Sequence, residues 1–183
     1  MCSDKQGGIE MGQLFEHTPI KNMELRNRFV RSATWEGLAG NDGSATPRLV
    51  ETLVQLARGG LGLIISSHAY VSREGQAGRW QLGVHSDELM PGLIRMVRAV
   101  HEVGGKIALQ LAHAGYYANF RLSGLEPVAP STVETDSGPV GREMTEEDRQ
   151  AVIHAFSQAA VRARKAGFDA VQIHGAHGYL ITQ

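Results

Sequence analysis

Four short runs of branched apolar residues recur along the chain, each separated from the next by a stretch with helical periodicity and its own start and stop signals. The runs occupy residues 29–33, 61–67, 106–111 and 170–174. Each is too short for a stable helix, and most begin beside Gly, Asn or Asp, so they read as buried strands. Thr46-Pro47 announces the first helix, a side-chain cap followed by proline at the first helical position. Leu49, Leu53, Leu56 and Ala57 share one face of it, and Gly59-Gly60 ends it. Ser86 or Asp87 opens the second, with Leu89, Leu93, Met96, Val97, Val100 and Val103 as its apolar face and Gly104-Gly105 as its stop. Thr145-Glu146-Glu147-Asp148 opens the third, its carboxylates suited to the positive end of a helix dipole. Val152, Phe156, Ala159, Ala160 and Ala163 form its face, and Gly167 supplies a left-handed cap.

An alternation of strands and helices that joins each strand to the next by a crossover argues for a parallel α/β sheet. Ahead of it, residues 14–25 read as a small hairpin with a turn at Lys21-Asn22. Residues 115–144 form a long irregular connection rich in Gly, Pro and Ser. Connections of that length inside a compact domain usually serve function.

Polar residues collect at the C-terminal end of every strand. The first run leads into Ser32-Ala33-Thr34-Trp35 and the second into Ser66-Ser67-His68. The third carries Gln110 and is followed by His113, and the fourth ends in His174-Gly175-Ala176-His177-Gly178-Tyr179. In parallel α/β folds that edge of the sheet holds the active site.

Charge narrows the partners. The 183 residues carry 18 basic and 19 acidic side chains, a net charge of −1, so neither nucleic acid nor a membrane surface is an expected partner. No apolar run approaches the roughly 20 residues that span a bilayer. The one cysteine, Cys2, stands in a polar tail and has no internal partner, which fits the reducing cytoplasm. Residues 1–10 contain no apolar signal core and are expected to form a disordered leader, with a single domain over residues 11–183.

The segments Ile173-His174-Gly175-Ala176-His177-Gly178-Tyr179-Leu180 and Gln110-Leu111-Ala112-His113-Ala114-Gly115 closely resemble signatures of the old yellow enzyme family of flavin-dependent reductases. Asn27-Arg28, Thr46-Pro47 and Ala129-Pro130-Ser131 fit the same pattern, in the same order and spacing, and the likeness runs over residues 14–183. It implies an FMN-type (β/α)8 TIM barrel, of which this chain holds about the first four β/α units behind the hairpin. It also implies FMN reduced by NAD(P)H, and hydride delivered to the β-carbon of an activated alkene such as an enone. By the same resemblance, Gln110 would bond the polar edge of the flavin ring. Ser32, Ala33 and Thr34 would line the flavin through backbone groups, with His68 beside its ring. His174 and His177 would grip the substrate carbonyl, His174 close to the cofactor as well. Tyr179 would be the acid that protonates the α-carbon, since a phenol with an ordinary pKa near ~10 keeps its proton at neutral pH.

Read without the family, the same residues have plainer uses. The His174/His177 pair is then a set of hydrogen-bonded strand-end histidines or, with no third ligand of matching spacing, an incomplete metal pair. Gln110 is a satisfied buried amide and Tyr179 a packing residue. His113, Tyr116 and Tyr117 line the pocket mouth or pack a loop, and Trp35 and Trp80 face substrate or pack. Two features depart from the resemblance. Trp35 stands where many members carry a small Thr or Cys, and Ala33 where proline is frequent. The chain also ends after its fourth strand, before the later loops that bind the phosphate. The expected alternatives are a truncated reductase, or a half-barrel that self-associates through open strand edges as a homo-oligomer, with or without catalysis.

Overall fold

The computed structural model describes residues 11–135 and 138–183; the leader expected over residues 1–10, Cys2 included, lies outside them. A 3-10 turn leads into a hairpin of β1 (Thr18–Ile20) and β2 (Met23–Leu25), whose turn residue Lys21 takes φ +53°. There follow β3 (Val30–Arg31), α1 (Pro47–Arg58), β4 (Leu63–Tyr70), α2 (Met90–Glu102) and β5 (Ile107–Ala112). The long connection holds α3 (Phe120–Ser123), β6 (Val128–Ala129), β7 (Val133–Thr135), β8 (Gly138–Val140) and β9 (Arg142–Glu143). The chain then runs through α4 (Glu146–Ala166) to β10 (Ala170–Ile173).

Sequence signals set the helix boundaries. Thr46 accepts from the Leu49 N–H ahead of Pro47 at the start of α1. Ser86 caps a short 3-10 turn that runs on into α2. Thr145 and Asp148 make a reciprocal capping box at the start of α4, and Gly167, at φ +93°, closes its end. The strands shift more. The first is only two residues long, because the chain leaves the ladder after Arg31, whose guanidinium bonds the Ile65 carbonyl at 2.9 Å in place of a backbone amide. The second begins at Leu63, past Gly62, whose backbone lies so close to the Asn27 carbonyl that a side chain there would collide. Asn27 fixes that approach by donating to the Gly60 carbonyl at 2.6 Å and accepting from the Phe29 N–H at 3.1 Å.

The main sheet is parallel, and its strands lie side by side in chain order: β3, β4, β5, β10. A doubly wound sheet would reverse its order at some strand, whereas consecutive neighbours wind one way around a barrel. Ile64, Ala69 and Val71 from β4 and its end, with Ile107, Leu109 and Leu111 of β5, pack outward against α1, α2 and α4. Leu63, Ile65 and Ala108 face the other way, onto Leu25 of the hairpin. The hairpin therefore closes the barrel floor under the first strands. The two outer strands are open: Val30 is 45% exposed, and Val171 and Ile173 are 43% and 51% exposed. No helix among the described residues is long and apolar enough to cross a membrane.

Candidate functional site

The inward faces of β4, β5 and β10 bring the polar strand ends together. In register, Gln172 of β10 lies beside Gln110 of β5, and Gln110 lies beside His68 of β4. Three β4 residues span the step from Ile65 to His68, where β5 uses two from Ala108 to Gln110. That extra residue is a bulge at Ser66-Ser67. Side chains alternate faces with period two, so an unbulged ladder through the same residues would turn Ser67 inward and His68 out. The bulge places His68 inside. It also interrupts the ladder, and the buried Ser66 hydroxyl takes over, accepting from the Gln110 N–H at 3.2 Å and donating to the Ser67 carbonyl at 2.8 Å.

Just past β10, His174 is buried and its N–H bonds the Leu111 carbonyl at 2.9 Å, extending the ladder by one residue. The chain then turns sharply through His177 and Gly178, both left-handed at φ +58° and +65°. A histidine in that region is uncommon, and Gly178 avoids the same cost beside the Tyr117 ring. The turn folds Tyr179 back over the strand end. Its ring meets His174 edge-on at 4.8 Å between centroids and His68 at 5.8 Å. His174 Nε2 and His177 Nδ1 lie 3.4 Å apart. An oxygen about 2.9 Å from both nitrogens would complete a near-equilateral triangle, so the pair can present two N–H donors to one atom.

The electrostatics suit neutral donors. Burial, then His174 and His177, push the His68 pKa down to about 4. Burial and His177 also lower His174, and burial raises the Tyr179 phenol above its ordinary value. At pH 7, His68 and His174 are neutral and Tyr179 carries its proton. Between Tyr179, His68, Trp35, Ala77 and Gly78 lies a cavity of about 220 Å³. The Trp35 indole, 53% exposed, forms one wall, folded back over the backbone of Gly37 at φ +63°. Ser32 and Thr34 are exposed on the same connection, while Ala33 packs on the barrel-floor cluster.

The structure decides between the two readings of His113 and adds a residue the motifs did not name. His113 lies under Gly75, fully buried, with burial taking its pKa to about 4; its Nδ1 accepts from the Gly115 N–H at 3.1 Å. Its carbonyl accepts from the Leu180 N–H at 3.0 Å, so it is a loop tether and not part of the cavity wall. Gln172 carries no family signature, yet it accepts a hydrogen bond from Gln110 Nε2 at 2.7 Å. Its signal was the period-two spacing from His174, which puts both on one strand face.

Residues 13–183 match the profile of the NADH:flavin oxidoreductase / NADH oxidase family. The chain is 42% identical over 173 residues to an NADH oxidase of Thermoanaerobacter brockii, covering 93% of this chain and 27% of that protein. It is 41% identical over 177 residues to an NADPH dehydrogenase of Listeria monocytogenes serotype 4a, covering 94% of this chain and 51% of the relative. Among solved structures, an old yellow enzyme homologue from Zymomonas mobilis superposes with a TM-score of 0.83 at 32% identity, over 92% of this chain and 50% of the other. A 2-naphthoyl-CoA reductase complex gives a TM-score of 0.88 at 26% identity, over 93% of this chain and 28% of the other. The chain thus spans about half the length of the dehydrogenase and about a quarter of the oxidase.

The residues present fit the polar edge of a flavin ring. Gln110 and Gln172 use one donor and one acceptor on each other, which leaves each amide with a further N–H and a carbonyl lone pair on the open inner face. A ring edge that alternates carbonyls with an N–H needs both kinds of partner.

Proposed function

The chain belongs to the NADH:flavin oxidoreductase / NADH oxidase family, and on that premise we propose that it contributes the flavin-ring and substrate contacts of an FMN-dependent reductase of activated alkenes, α,β-unsaturated carbonyls above all. Bound FMN, renewed by NAD(P)H, supplies the hydride. The protein's own part is binding, polarisation and proton delivery. Gln110, supported by Gln172, holds the polar edge of the ring, and the backbone of Ser32, Ala33 and Thr34 with the His68 imidazole borders it. His174 and His177 donate two N–H bonds to the substrate carbonyl oxygen, which withdraws charge as the β-carbon accepts hydride. Tyr179 delivers its phenolic proton to the α-carbon. Trp35 narrows the mouth where a smaller residue would leave it open.

The observation that carries this reading is the convergence of His174, His177 and Tyr179, with the nitrogens of the two histidines 3.4 Å apart. Residues 11–183 are proposed to act as one half-barrel unit, a cytoplasmic one. FMN is added to the purified chain and the mixture passed over a sizing column. Yellow colour travelling with the protein, lost on Gln110→Ala, supports the reading; colourless protein sinks it for this chain. NAD(P)H-dependent reduction of a cyclic enone, abolished in the His174→Ala/His177→Ala double variant, extends the support to catalysis.

A second reading draws on the exposed apolar edges at Val30 and at Val171 and Ile173. Open strand edges pair readily with another chain, and two copies could close their edges on each other. Light scattering that finds a monodisperse monomer at high concentration excludes it.

A further inference from the structure

A second concavity lies away from the strand-end site and shares no lining residue with it. It has a volume of about 290 Å³ and opens between the connection that leaves β4 and one stripe of α4. Ser72, Arg73 and His85 face it from the connection, and Ala155, Gln158 and Arg162 from the helix. The helix residues sit three and four positions apart, so they form one row, and the small Ala155 leaves the space open.

Its polar groups are unusually short of partners. Ser72 Oγ and His85 Nδ1 are both shielded from solvent, and neither has a hydrogen-bond partner. Buried polar atoms rarely stay unpaired. The His85 ring is held in place by stacking on Tyr70 at 4.7 Å and 20°. Among the described residues Arg73 makes no ion pair. The Arg162 side chain is only 17% exposed; its Nε pairs with Asp87 at 2.6 Å and its Nη1 reaches the Val84 carbonyl at 3.4 Å, which leaves Nη2 free. Burial lowers the His85 pKa, and the Arg73 and Arg162 cations lower it further, against weaker opposition from Glu88 and Asp42. Arg73 and the free Nη2 of Arg162 therefore give the concavity a positive lining. Asp87 already holds Arg162 through Nε, so the Arg73 guanidinium and Arg162 Nη2 are the groups left for a ligand.

We propose that this slot binds a small, multiply charged oxyanion: a phosphate monoester or a pyrophosphate group. Planar guanidiniums match phosphate oxygens in paired hydrogen bonds. The volume falls at the small end for ligand sites, so it takes the charged group and not a whole dinucleotide. Gln158 on the helix wall adds an amide donor.

Calorimetric titration of the chain with inorganic pyrophosphate tests this, with adenosine diphosphate and glutarate as parallel ligands. Saturable pyrophosphate binding is expected, accompanied by a shift of the His85 imidazole resonances. Arg73→Gln should weaken it roughly tenfold or more, as loss of a charge-assisted hydrogen bond does. Ala155→Leu should fill the slot and Gln158→Glu should repel the ligand, while Arg58→Gln, on α1, should change nothing. Tighter binding of adenosine diphosphate than of pyrophosphate would identify the source as a nucleotide tail; equal or weaker binding would identify a free phosphate compound. No saturation, equal affinity for glutarate, or wild-type binding in both Arg73→Gln and Gln158→Glu would overturn the proposal. These last two variants keep the test decisive if Ala155→Leu does not fold, as circular dichroism would reveal.

Discussion

Replacing Ser66 by alanine isolates the cost of the bulge that aims His68. The Ser66 hydroxyl is the acceptor for the Gln110 amide in the middle of β5, at 3.2 Å, and Ser66 is 1% exposed. Without it the amide is buried and unpaired, which costs about 1–3 kcal/mol. For a domain of this size that lowers Tm by roughly 2–12 °C. Deleting Ser67 acts differently. It removes the extra residue, lets Ser66 pair opposite Leu109 in a regular ladder, and keeps His68 on the inner face beside Gln110. The deletion should therefore be milder than the point substitution. Urea unfolding followed by circular dichroism measures both, with the slope checked for constancy so that the midpoint reports stability. If Ser66→Ala changes stability by less than about 0.3 kcal/mol, or the deletion proves the more damaging, the hydroxyl does not stand in for a ladder carbonyl and the argument fails.

Other outcomes follow from the same geometry. Tyr179→Phe should slow enone reduction by about 10²–10⁴ while leaving flavin reduction by NAD(P)H intact, read by stopped-flow absorbance; equal loss in both half-reactions would remove Tyr179 as the proton donor. His68 and His113 have folded pKa values near 4, below the unfolded value near ~6.5, so the unfolded chain binds more protons in that window. Stability should thus fall as pH drops from about 6.5 toward 4, by an amount on the order of 3 kcal/mol for each histidine; denaturation midpoints at pH 7 and pH 5 measure it, and an unchanged slope in His113→Met would contradict the assignment. Thr145→Ala breaks the capping box at the start of α4 and should cost about 0.5–2 kcal/mol in thermal or chemical unfolding; a neutral result would mean that Asp148 and Arg142 hold that helix end without it.

Much of this arrangement is local and could be read along the chain. Thr46-Pro47, Ser86, Thr145 with Asp148, and Gly167 specify helix ends because capping depends on residues within one turn. The strand–helix alternation implied a parallel sheet, and the residues after each strand pointed to one edge. The signatures around Gln110 and His174 named the family that the whole-chain comparison then identified. The tertiary structure alone decided register. Whether His68 points in or out depends on one extra residue in β4 measured against β5, more than 40 positions away, and no local pattern carries that count. The same holds for the Gln110–Gln172 pair, for Trp35 closing a cavity with Tyr179, and for the choice between pocket mouth and loop packing at His113, which packs the loop under Gly75. Caps and periodicity are set by neighbours a few residues away; face, depth and partner are set by contacts between strands, which only the folded chain brings together.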